Sequence, residues 1–271
     1  MSEENGAQLG PRNGWEVDAP AGDTAIRQFL ESQTAFQRLT GEQLGGTVLE
    51  NERYIAVDTR RPASMLNFAL LRQPVTVDSI EQTMSELDTL YTQPGSAGWV
   101  ALYSPLPTPD LSGWGWNLAG HPPLQLRSPF SPLVETDIRV EPVRSANDMA
   151  VFERIIIEGF DFGEMLGSPA GSFLPPSMLD DERFGAWLGF IDEEPVAGAA
   201  SMAEAGIVDV VMVATVPAAR RKGVGLAVTQ AATRPELGLP AVLFSSDEGR
   251  PVYERLGYIP ILRGPFWYRD R

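Results

Sequence analysis

Three consecutive cations, Arg220-Arg221-Lys222, stand directly before Gly223-Val224-Gly225 in a chain of formal charge −15. Lys222 is the only lysine in the sequence. The apolar run Ile207–Ala214 reads as a strand leading into Val216-Pro217, and a helix is expected from Gly223 to about Thr233. A strand, a basic glycine turn and a helix in that order suit a pyrophosphate. The two glycines remove side chains, so backbone N–H groups can approach phosphate oxygens. The helix N-terminus directs its positive end at the same point. Arg221 and Lys222 add full charges.

Two other phosphate loops compete with this reading. A P-loop needs G-x-x-x-x-G-K-[ST], which the sequence lacks. A dinucleotide fingerprint comes closer, with Gly223-Val224-Gly225-Leu226-Ala227-Val228 and Asp247 just past the next strand. Its third glycine is replaced by Val228, and only 24 residues follow Asp247, too few for the further strand–helix units of that fold.

The spacing Arg220-x-x-Gly223-x-Gly225 after a strand and Val-Pro resembles the GNAT superfamily, the Gcn5-related N-acetyltransferases. Downstream, Val252-Tyr253-Glu254-Arg255-Leu256-Gly257-Tyr258 is similar to that family's closing motif, L-Y-x-x-x-G-F. The resemblance covers roughly Thr136 to Arg271. It implies acetyl-CoA as co-substrate and direct transfer to an amine in a ternary complex. It also implies roles. The strand edge at Val213, Ala214, Thr215 and Val216 would pair its backbone with the pantetheine arm. Arg221, Lys222, Gly223, Val224, Gly225 and Leu226 would hold the pyrophosphate. Tyr253 would protonate the departing thiolate. Asp209 stands where the family often has a Glu that deprotonates the amine. Ser246 stands where relatives often carry Asn and would offer a smaller polar contact to the cofactor.

Composition narrows the remaining choices. The chain has 271 residues, 43% hydrophobic and 21% charged, which is globular composition with ample length for a core. Cys is absent, which removes disulfides, thiolate metal sites and a Cys acyl-enzyme. The single His, His121, argues against His-rich metal sites and His-based triads, and no role is expected of it. No metal is expected. The acidic charge is spread evenly, with 8 basic and 16 acidic residues in 1–135 and 13 and 20 in 136–271. Such a surface repels nucleic acid and anionic membranes, so neither is expected as a partner. No apolar run approaches membrane-spanning length and the start is polar, so a cytoplasmic setting is expected.

The elements that must position these residues form two rounds. Residues 1–22 read as a flexible polar arm. A helix begins at Thr24. Strands follow at Thr47–Glu50, Arg53–Asp58 and Met65–Leu71, then a helix capped by Asp78, then a strand at Gly98–Tyr103. Proline-rich chain follows, with a linker at 127–136. The second round has a strand at Asp137–Pro142, a helix capped by Asn147 or Asp148, and a short helix at Ser177–Glu182. Strands follow at Ala186–Ile191, Val196–Met202 and Ile207–Ala214, the first two joined by a turn at Asp192–Pro195. The helix after Gly223, a strand at Ala241–Ser245, a short helix at Arg250–Leu256 and a last strand at Pro265–Tyr268 complete it. Trp187, Phe190 and Phe160 are expected in the core.

The element order reads as α/β with a mixed central sheet, and the resemblance implies a sheet of GNAT type, in two tandem halves. Residues 23–126 would be a degenerate copy and 137–271 the catalytic domain. The first half's counterpart of the phosphate loop, Arg72–Val77, has no glycine and carries Pro74, so it cannot form the same cradle. The function expected is N-acetyltransfer from acetyl-CoA to a small primary amine. A non-catalytic acyl-CoA-binding or regulatory protein is the alternative, and a nucleotide-binding oxidoreductase a weaker third.

Overall fold

A computed structural model describes residues 25–96 and 99–270. The arm at 1–22 and the first residue of the strand read at Gly98 lie outside the described residues. The first half contains α1 (Ala25–Gln43), β1 (Thr47–Glu50), β2 (Tyr54–Asp58), β3 (Asn67–Leu71), α2 (Ile80–Tyr91), β4 (Val100–Tyr103), β5 (Asn117–Gly120) and β6 (Pro123–Arg127). The second contains β7 (Val140–Pro142), α3 (Ala146–Gly159), β8 (Phe184–Ile191), β9 (Glu194–Glu204), β10 (Ile207–Thr215), α4 (Val224–Ala232), β11 (Ala241–Phe244), α5 (Arg250–Arg255), β12 (Tyr258–Arg263) and β13 (Phe266–Arg269).

These strands build two mixed sheets, ordered β1-β2-β3-β4-β13-β5 and β12-β6-β11-β10-β9-β8-β7. Each half repeats a helix, three antiparallel strands, a helix and a strand parallel to the third. Thus β3–α2–β4 matches β10–α4–β11. The halves also exchange strands. β6 lies between β11 and β12 in the second sheet, and β13 lies between β4 and β5 in the first. The sequence boundary near residue 127 is therefore not where the two sheets part.

α1 shows why the sheets stay together. It packs on β9 and β10 of one sheet and on β1 and β2 of the other. Both sides of it are covered, so Ser32, Gln33, Thr34, Gln37 and Thr40 are buried along with Phe29 and Phe36. Ser32 spends its hydroxyl on the Met202 carbonyl at 3.0 Å. β10 is apolar almost throughout because both its faces are covered. Val208 and Val210 pack with α4, while Ile207 packs with the first sheet.

Several sequence expectations shift. Ser79, not Asp78, precedes α2. Ser145 caps α3 in a capping box with Asp148, where Asn147 or Asp148 was expected as the cap. The strand read from Met65 begins with a 3₁₀ turn at Ser64–Leu66, and the short helix near Ser177 is a 3₁₀ turn at Pro176–Asp180. β5, β6 and β12 are additional strands. β12 escapes local reading because it contains Pro260. The strand lies at a sheet edge and its register shifts after that residue, which is where a proline is tolerated. No described helix is long and apolar enough to cross a membrane.

Candidate active site

β10 and β11 run parallel but pair only at Val208↔Ala241 and Asp209↔Val242. Beyond that point β11 continues beside β6 alone, and the two parallel strands part. β10 is bulged at the same level. Met212 and Val213 together oppose the single residue between Ala200 and Gly198 on β9. Met212 takes φ 52°, left-handed backbone that costs an L-residue roughly 1–2 kcal/mol. A strained residue held at the mouth of an opened sheet is the kind of feature that accompanies function. The gap opens into a cavity of about 890 Å³ lined by β10 residues Val210–Val213, by Leu243–Asp247 and by Tyr253, with α1 and β3 on its other walls.

The basic loop lies at the outer end of β10. Pro217–Ala219 forms a 3₁₀ turn, Arg221 takes φ 63° and Gly223 φ 84°, and α4 starts at Val224. Left-handed residues two apart turn backbone N–H groups toward one side, and the first turn of α4 has no intrahelical use for its own. A Cβ at Gly225 would stand 3.1 Å from the Thr215 hydroxyl, so helix and strand approach as closely as glycine permits. Arg220 is structural. It donates to the Thr215 carbonyl at 3.3 Å and to the Gly159 carbonyl at 2.9 Å, tying the loop to β10 and α3. Arg221 and Lys222 are exposed.

Of the expected strand-edge residues, Val213 lines the cavity. Ala214 and Thr215 resume pairing with β9, and the Val216 N–H is taken by the Val196 carbonyl at 3.0 Å. The Val216 amide is thus unavailable to a ligand, and its side chain is buried.

Tyr253 projects from α5 into the cavity. An added Cβ at Gly249 would lie 3.6 Å from the Tyr253 hydroxyl and 3.5 Å from Ser246 Oγ, so both oxygens face one small volume. Ser246 accepts the Gly249 N–H at 3.1 Å and so fixes the start of α5. Burial pushes the Tyr253 phenol up to about 12, so it stays protonated at neutral pH. Its ring meets Tyr258 edge-on, centroids 6.1 Å apart. The first half holds the other end of α5. Buried Arg127 of β6 donates to the Leu256 carbonyl at 2.7 Å and to the Ser131 carbonyl at 2.9 Å.

Asp209 is fully buried beside the cavity, on β10 one residue before Val210, and is not among the residues that line it. Among the described residues neither carboxyl oxygen has a hydrogen-bond partner, and burial pushes its pKa well above the ordinary carboxylate range. The folded chain therefore keeps a proton that the unfolded chain releases near pH 4. That proton favours folding most at low pH, and the benefit is lost as pH rises toward the folded-state pKa. Asp209→Asn removes the titration. The variant should gain in melting temperature relative to wild type between pH 5 and pH 8, by about 2–4 °C for each kcal/mol involved. Melts at both pH values check this, and a difference that does not change with pH would mean the carboxylate is paired in solution.

Sequence reasoning missed four other features of the cavity. Phe160 lines it and is 39% exposed, rather than lying in the core. His121 lines both this cavity and a neighbouring one of about 670 Å³. Arg263 divides the same two spaces, donating to the His121 carbonyl at 2.9 Å and to both Asp247 oxygens. That guanidinium holds the Asp247 carboxyl below its usual range. Gln33 and Gln37 of α1 complete the set. The Asp247–Arg263 pair joins residues 16 apart, and α1 (Ala25–Gln43) lies far in sequence from β10 (Ile207–Thr215), so no local motif marks them.

The first half's counterpart is closed. β3 pairs with β4 through Leu70↔Tyr103 and has no bulge. Arg72 is bound by Glu31, Glu50 and the Asn51 carbonyl. Among the described residues no group of His, Asp or Glu side chains converges to hold a metal ion.

No family sequence profile matches the chain, and no curated protein sequence does. Solved structures do. A Gcn5-related N-acetyltransferase from Kribbella flavida is 21% identical with a TM-score of 0.60, covering 87% of this chain and 95% of its own. A functionally unknown conserved protein from Staphylococcus epidermidis is 13% identical with a TM-score of 0.61, covering 84% and 95%. A Gcn5-related N-acetyltransferase from Sphaerobacter thermophilus is 14% identical with a TM-score of 0.52, covering 80% and 76%. The opened parallel pair, the bulge beside it and these matches over most of the chain give it the fold of the Gcn5-related N-acetyltransferases.

Proposed function

We propose that the chain is an N-acetyltransferase that moves an acetyl group from acetyl-CoA to a small primary amine by direct attack. The observation that carries this reading is the gap between β10 and β11, with the Met212 bulge on one side and the Tyr253 hydroxyl on the other. A thioester in that gap would lie along unpaired backbone of β10, and its pyrophosphate would reach the Arg221–Gly225 loop. The amine nitrogen forms a bond to the thioester carbon, and the carbon–sulfur bond breaks. The Tyr253 hydroxyl, on the cavity wall, would give the departing sulfur a proton, and solvent would restore the phenol. The surplus proton on nitrogen leaves through water, because Asp209 does not reach the cavity wall. Burial that raises the phenol raises a buried thiol as well, so transfer between them is not as uphill as their values in water suggest.

The same reading takes the two halves as a tandem pair in which only the second keeps a cofactor site, with the first shaping the acceptor side. It places the protein in the cytoplasm. The test is release of free CoA from acetyl-CoA across a panel of primary amines. Release that requires an amine, with one acetylated amine per CoA, is the expected result. Acetyl-CoA binding with no turnover of any amine would favour a non-catalytic acyl-CoA-binding protein.

A further inference from the structure

A primary amine reaches the site as its ammonium ion at neutral pH, with no lone pair to attack, so one proton must leave before the bond forms. Among the described residues that line the cavity, the groups able to gain or lose a proton are His121, Asp247, Tyr253 and Arg263. Tyr253 is already protonated and serves the sulfur. Arg263 keeps its protons at any working pH. Asp247 has both oxygens on Arg263, which holds its carboxyl below the usual range and makes it a poor base. Imidazole is the side chain that changes charge between pH 5 and 8, so His121 alone of the four has the chemistry of a base. Its position agrees. It lies in the crossover at 120–123, where the chain passes from β5 of the first sheet to β6 of the second. Three hydrogen bonds pin that crossover. Arg263 donates to the His121 carbonyl at 2.9 Å, the Gly264 N–H to the Pro122 carbonyl at 3.4 Å, and the Ser245 N–H to the Pro123 carbonyl at 3.1 Å. Ser245 precedes Ser246, whose Oγ faces the same small volume as the Tyr253 hydroxyl. The Arg263 nitrogen that holds His121 also donates to Asp247 at 3.0 Å. His121 is exposed and borders both cavities, so solvent and a small amine reach it. The charged and titratable groups around the two spaces are Arg263 from β12, Asp247 after β11, Tyr253 from α5 and, on the far side, Asp110, whose carboxyl accepts the Ser112 N–H at 2.9 Å. The one cation among them is paired with Asp247.

We propose that His121 is the base that takes the first proton of the acceptor's ammonium group, directly or through one cavity water. This rests on the acetyltransferase reading. The proton passes to an imidazole nitrogen, and the lone pair it leaves behind forms the bond to the thioester carbon. The carbon–sulfur bond breaks and the sulfur takes the Tyr253 proton. The second proton on nitrogen leaves through water, and His121 returns its own to solvent through the neighbouring cavity. The base would then come from the first half of the chain and the acid from the second, which gives the first half a part in the chemistry.

The test is the pH dependence of kcat, which reports groups of the bound complex, for wild type, His121→Ala and His121→Gln on the panel amine that releases CoA fastest. Wild-type kcat should fall on the acid side of neutral, because an imidazolium accepts no proton. Both variants should lose roughly 10²-fold in kcat at pH 7, and their rates should climb steadily with pH in place of that acid limb. Added imidazole should restore part of the His121→Ala rate. Melting temperature and acetyl-CoA affinity should stay at wild-type values, which a loss through misfolding would not allow. A wild-type rate in either variant, an acid limb that survives the substitution, or a loss that imidazole does not relieve in His121→Ala would overturn the proposal and leave the acetyltransferase reading intact. A wild-type protein that turns over no amine of the panel would overturn that reading and this base with it.

Discussion

Tyr253→Phe should fold normally, bind acetyl-CoA as wild type does, and lose roughly 10²-fold in kcat, the low end for general acid catalysis. The substitution keeps the ring, and with it the edge-on contact to Tyr258. It deletes only a hydroxyl that has no hydrogen-bond partner among the described residues and that faces the same small volume as Ser246 Oγ. A phenol raised to about 12 by burial is fully protonated at working pH, so the proton is present when the thiolate departs. A thiolate is already a fair leaving group, which is why the loss stops short of the larger values seen for alkoxide departure. Steady-state kinetics on one good acceptor, with melts of both proteins, give the answer. Turnover at the wild-type rate would make Tyr253 a packing residue.

The second large effect is on binding. Gly225→Val should weaken acetyl-CoA by about 10²-fold or more, roughly 2.7 kcal/mol. Its Cβ would already press on the Thr215 hydroxyl at 3.1 Å, and the two methyls beyond it would occupy the approach to the α4 N-terminus. Gly223→Val acts differently. A Cβ there meets nothing within 4 Å, but φ 84° penalises any L side chain, so part of its effect falls on loop conformation. A folded Gly225→Val protein with wild-type affinity would remove the pyrophosphate from this loop.

Much of this candidate site was legible because it is local. Arg220 to Leu226 is one turn between a strand and a helix, and glycines, cations and helix start are all readable within seven residues. The closing motif around Tyr253 is local in the same sense. Asp209 was visible as a lone carboxyl in an apolar strand, but its depth was not. Which face of β10 is covered depends on α1 and on a sheet built from the other half. The strand exchange was hidden for a related reason. Pro123–Arg127 and Phe266–Arg269 carry no mark of which sheet they join, since a strand's partner is chosen by packing and not by its own pattern. Gln33 and Gln37 looked like ordinary polar residues on an amphipathic helix. They became cavity residues only because α1 is covered on two sides.

On the proposed function, the strand gap also sets the expected number of cofactors per chain. β10 opens from β11 after two residue pairs and has a glycine loop at its end, whereas β3 stays paired to β4 and Arg72 is occupied by Glu31 and Glu50. The most direct test is calorimetric titration of the full chain with acetyl-CoA. One saturable site per chain is expected. A second site of similar affinity, or no binding at all, would contradict the account.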